Sequence, residues 1–97
     1  MTPEGRVKKA CRKYLRDIGC YVFSPVQMGY GTRTLDDLVC WRGRFIAIEY
    51  KAPGKEPTAH QALTAEQITA AGGITMVIDS FEKLKSQFEI LRCDDVV

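Results

Sequence analysis

The chain has 97 residues, enough for one domain and too few for two. Hydrophobic residues make up 45% of it, which supports a globular core, although a chain this short buries a modest share of its surface. No apolar run reaches the length of a membrane span and no signal-peptide pattern is seen, so the expectation is a soluble, cytoplasmic protein with no membrane partner. A single histidine, His60, excludes His-Asn-His nucleases and multi-histidine metal centres and makes His60 a poor catalytic candidate. Four scattered cysteines without a Cys-x-x-Cys pair read as buried reduced thiols rather than a zinc site. The net charge of +2 hides an asymmetry: residues 1–55 carry eleven basic side chains against five acidic, and the remainder three against seven. A basic half suits a polyanionic partner, and it is equally ordinary charged surface.

Thr2-Pro3-Glu4 reads as a helix start, with a capping hydroxyl, Pro in the first turn and an early acid. Val7, Ala10, Cys11, Tyr14, Leu15 and Ile18 then recur at helical spacing until Gly19, and Arg6, Lys8, Lys9, Arg12, Lys13 and Arg16 fill the opposite arc. That basic arc is a candidate phosphate track. Glu4 projects with the apolar arc, either as a helix-dipole partner or as a carboxylate aimed at a site. Cys20–Phe23 is a short strand closed by Ser24-Pro25. Residues 28–34 read as a Gly-rich loop that could grip DNA through Tyr30 and Arg33 or could be an ordinary connection. Two strand-forming runs, Leu38–Trp41 and Phe45–Tyr50, flank the linker Arg42-Gly43-Arg44. A turn-rich link, 52–57, contains Lys55. Capping-box pairs Thr58/Gln61 and Thr64/Gln67 offer two starts for a helix that ends at Gly72-Gly73. Ile74–Ile78 is a strand. A last helix runs from Ser80 or Phe81 to Leu91, and residues 91–97 read as a loose tail.

The expected order is therefore α-β-β-β-α-β-α, an α/β fold with a mixed sheet flanked by helices. Within the hairpin, alternation puts Phe45, Ala47, Glu49 and Lys51 on one face of the second strand. Asp37, at the start of the partner strand, is expected beside its end. Two nearby carboxylates suit a hard cation such as Mg²⁺, and a lysine can hold a water near it and offset charge on a phosphate. Asp followed by Glu-x-Lys is the active-site pattern of the PD-(D/E)xK nucleases. The tripeptide alone is weak, and the bland alternative is a solvated surface ion pair.

Taken together, the chain resembles the VRR-NUC branch of those nucleases from Glu4 to about Ser80. The resemblance is carried by Glu4, by Asp37-Leu38-Val39 with Trp41, and by Glu49-Tyr50-Lys51 followed by Pro53-Gly54-Lys55. Thr58, Gln61 and Gly72-Gly73 complete it. The chain departs from the family at Asp36, where Pro usually precedes the acid. The resemblance implies a single nuclease domain over 1–97 with a restriction-endonuclease-like core and a Mg²⁺- or Mn²⁺-dependent endodeoxyribonuclease activity. Small stand-alone members are virus or prophage proteins that act as homodimers on four-way (Holliday) junctions. It further implies Asp37, Glu49 and the main-chain carbonyl of Tyr50 as metal ligands, with Glu4 reaching the metal through water. Lys51 then orients the attacking water and Gln61 supports it. Tyr30, Arg33, Lys9, Arg12, Arg16 and Lys55 are the candidate DNA contacts. Two alternatives stay open: a catalytically silent DNA- or protein-binding module on the same fold, and a nuclease acting on flaps or simple duplex.

Overall fold

The computed structural model describes residues 1–26 and 33–94. Tyr30 lies outside them. Helix α1 (Pro3–Asp17) begins as its sequence dictates: Thr2 Oγ1 accepts from the Gly5 N–H at 3.0 Å and Pro3 occupies the first turn. Gly19, at φ 93°, leads the chain out of the helix in the left-handed region. Strands β1 (Tyr21–Phe23), β2 (Asp37–Trp41) and β3 (Arg44–Tyr50) form an antiparallel meander.

The β2–β3 connection is a two-residue turn. Arg42 and Gly43 both have positive φ, 50° and 78°, as a type I′ turn requires. Trp41 therefore pairs with Arg44 and, further along, Asp37 with Ile48. Helix α2 (Ala59–Ala70) crosses to β4 (Ile74–Ile78), which pairs parallel to β3, so the sheet order is β1-β2-β3-β4. Of the two candidate starts for α2, the Thr58/Gln61 box is the one used.

Helix α3 (Phe81–Asp94) packs with α1 on one face of the sheet, where Cys11, Leu15, Ile46, Ile48, Leu84 and Phe88 form the core. Leu91 packs against that core and carries the helix through residues 91–94, which are therefore not the expected loose tail. Cys11 and Cys20 are buried thiols, whereas Cys40 and Cys93 are exposed. Cys40 falls on the sheet face that α1 and α3 do not cover, which places it outside the core. Among the described residues no helix is long and apolar enough to cross a membrane.

Candidate active site

The hairpin register decides which charged groups meet. With Asp37 opposite Ile48, Asp36 falls one residue before β2 and opposite Glu49. Side chains alternate across a sheet, so Asp36 and Glu49 share the α2 face, and Asp37 joins Ile48 and Tyr50 on the α1 face. Asp36 and Glu49 open into one cleft of about 320 Å³, with Arg33, His60 and Gln61 on its other walls.

Glu49 is only 4% exposed. Burial, and after it the charge of Asp36, raises its carboxyl to about 7, while Lys51 pulls it down. Lys51 Nζ stands 3.6 Å from Glu49 Oε2, and Gln61 Nε2 donates to the same oxygen at 2.5 Å. Gln61 is held for this by its own helix start. Its Oε1 accepts from the Thr58 N–H at 2.9 Å and its N–H donates to Thr58 Oγ1 at 3.2 Å. The capping box thus fixes α2 and aims an amide at the carboxylate.

This geometry gives a pH dependence with a defined sign. Folded Glu49 keeps its proton to about 7, against an ordinary value of 4.5, so the folded chain binds more protons than the unfolded chain in between. In EDTA, stability is expected to fall as pH rises through that window. In Glu49→Gln the contribution should vanish. Urea denaturation of both chains at pH 5 and pH 8 measures it, and equal pH slopes would contradict the assignment.

Asp37 is placed differently from the sequence expectation. It is fully buried, and its oxygens are taken by three partners. Arg12 donates from Nε to Oδ2 at 3.0 Å and from an Nη to Oδ1 at 2.9 Å, Ser24 Oγ to Oδ1 at 2.6 Å, and Tyr50 Oη to Oδ2 at 2.7 Å. Burial alone would raise its pKa; the hydrogen bonds from Arg12, Ser24 and Tyr50 outweigh that and hold it below the ordinary value. Asp37 therefore does not face the Glu49 cleft. The reason is turn length: a three-residue linker would pair Asp37 with Glu49, and the two-residue turn shifts the register by one and exchanges faces. Arg12 is corrected with it. Rather than joining an outer basic track, it turns inward onto Asp37, its guanidinium 5.7 Å from the centre of the Tyr50 ring.

The remaining expected residues divide between the site and the surface. Glu4 pairs with Lys8 Nζ at 3.5 Å, and the same Nζ lies 3.8 Å from Asp36 Oδ1, so Glu4 touches the site through Lys8. Arg33 reaches the cleft. Lys9, Arg16 and Lys55 are exposed away from these contacts.

A solved structure described as "VRR_NUC domain" matches this chain with a TM-score of 0.79 at 27% identity, covering 92% of this chain and 97% of the other. The chain has the fold of that VRR-NUC domain. No family model matches its sequence, and no curated protein does, so the likeness is carried by the three-dimensional fold. Within this VRR-NUC fold, Asp36 is the carboxylate across from Glu49. Sequence reasoning preferred Asp37 to Asp36 as the acid, set His60 aside as a poor catalytic candidate, and gave Ser24 no role beyond closing the first strand. A signal for Arg12 was present, since Glu4, Lys8 and Arg12 form an i,i+4 row along the border of the apolar stripe.

Proposed function

We propose that this VRR-NUC domain is a divalent-metal-dependent DNA endonuclease that cuts branched DNA, four-way junctions in particular, as a homodimer. The observation that carries the reading is the pairing of Asp36 with Glu49 in an open cleft, with Lys51 and Gln61 on the same Glu49 oxygen. The donor set fits Mg²⁺ or Mn²⁺. Two carboxylates face each other, and the raised pKa of Glu49 marks a place where a positive charge lowers the energy. Among the described residues no third His, Cys, Asp or Glu completes a cage, which suits a hard cation that keeps waters and takes further oxygens from substrate phosphate.

Asp36 and Glu49 would hold the ion. The Tyr50 carbonyl is the next candidate oxygen, because the Tyr50 N–H points to Asp36 Oδ2 at 2.9 Å and a strand residue's C=O points to the same side as its N–H. When bound, the cation neutralises phosphate charge and lowers the pKa of a water. Lys51 orients that water and stabilises negative charge building on the phosphate. Gln61 keeps Glu49 aimed. Arg33 and Lys55, with Lys9 and Arg16 on the outer face of α1, are the described candidates for the DNA backbone. A junction is cut symmetrically only by two active sites, which a two-fold dimer supplies.

Labelled four-way junction, flap and linear duplex, incubated at one salt concentration with Mg²⁺, Mn²⁺ or EDTA, test the proposal. Paired nicks in the junction, dependent on metal and faster than in duplex, are the expected result. Binding without cutting under every metal would overturn it in favour of a silent binding module.

A further inference from the structure

We infer that Asp37 is a positioning residue for the catalytic strand end, working through Tyr50, and that the adjacent aspartates grip that one residue from opposite faces. The inference rests on the metal site proposed above. Tyr50 lies between Glu49 and Lys51 and is the last residue of β3. Its N–H donates to Asp36 Oδ2 at 2.9 Å on the cleft side, and its phenolic O–H donates to Asp37 Oδ2 at 2.7 Å on the α1 side.

The end of a strand is where a backbone is freest. Here both the main chain and the ring tip of Tyr50 are held, and holding Tyr50 fixes the directions in which Glu49 and Lys51 leave the strand. Asp37 can serve as an anchor because it is itself immobile: fully buried, clamped in bidentate fashion by Arg12 from α1, and bonded by Ser24 from the end of β1. Helix α1 and the end of β1 thus converge on Asp37 in β2, which in turn holds the phenol of a residue whose neighbours do the chemistry. A carboxylate used only to balance the charge of Arg12 would not need the phenol. Tyr50 is fully buried, and no other hydrogen bond is made by its hydroxyl among the described residues.

Tyr50→Phe removes that one bond and keeps the ring, leaving Asp37 with Arg12 and Ser24, so the chain folds. Ile48→Val is the control: it trims the same buried face of β3 two residues away, opposite Asp37, and leaves every hydrogen bond of Asp37 in place. Mn²⁺ binding by isothermal titration calorimetry, urea denaturation and amide hydrogen exchange would be measured on the wild type and both variants. The expected result is Mn²⁺ affinity about tenfold or more weaker in Tyr50→Phe and unchanged in Ile48→Val, although both lose some stability. Exchange of the Tyr50 and Lys51 amides should quicken in Tyr50→Phe alone. Equal Mn²⁺ affinity and equal amide protection in the two variants would overturn the inference and leave Asp37 a structural residue. Failure of the wild type to bind Mn²⁺ would refute the metal site instead, and the exchange data would then decide positioning on their own.

Discussion

Lys51→Ala is expected to lower metal-dependent cleavage by about a hundredfold to a thousandfold while leaving the urea midpoint and circular dichroism near those of wild type. The fold should not notice the change. The side chain lies just past β3, and the contact that seats this residue is its main-chain N–H on the Ile78 carbonyl at 2.9 Å, which alanine retains. The chemistry should notice it twice. The ammonium beside Glu49 lowers the pKa of that carboxyl, so its loss raises Glu49 further and keeps it protonated, and unavailable as a ligand, to higher pH. The charge that opposes negative build-up on the phosphate is lost as well. The two effects separate with pH. Raising pH should restore metal affinity in the variant, whereas single-turnover cleavage at saturating Mn²⁺ should stay low. Cleavage at the wild-type rate would remove Lys51 from the machinery.

The elements themselves were readable, because each boundary has a local chemical cause. Thr2-Pro3 starts α1, Gly19 ends it, and the apolar runs of β3 and β4 have strand length and composition. The start of α2 was ambiguous because two capping boxes compete, and only tertiary contact separates them: Gln61 serves both its box and Glu49. The largest departure came from one residue of turn. Reading Arg42-Gly43-Arg44 as the linker puts Asp37 across from Glu49, while the type I′ turn at Arg42-Gly43 puts Asp36 there. Positive φ at an arginine is uncommon, and nothing in the local sequence announces it. Arg12 was misplaced for a related reason. Helical periodicity sets an angle, but whether a residue at the edge of the apolar stripe turns in or out depends on what lies opposite, and here that is a buried carboxylate.

The division between the two aspartates gives stability changes of opposite sign in metal-free protein. Asp37→Ala is expected to destabilise the fold by about 3–5 kcal/mol at pH 7, since removing one partner of a buried ion pair strands the other. Arg12 would lose the carboxylate it holds at 2.9 Å, and the Tyr50 hydroxyl its acceptor. The contribution has a pH signature. The pKa of folded Asp37 is held below its ordinary value, so its stabilisation is present above that value and is lost as pH falls through the folded pKa. The variant should therefore lack that part of the acid limb. Asp36→Asn should do the reverse. It removes the like charge facing buried Glu49, and in EDTA near pH 8 it should leave the chain as stable as wild type or more so. Added Mn²⁺ should then raise the urea midpoint of wild type and much less that of Asp36→Asn. The decisive comparison is the order of the two variants in EDTA. If Asp37→Ala were the more stable and Asp36→Asn the weaker, Asp37 would be the strained metal carboxylate and the register argument would fail.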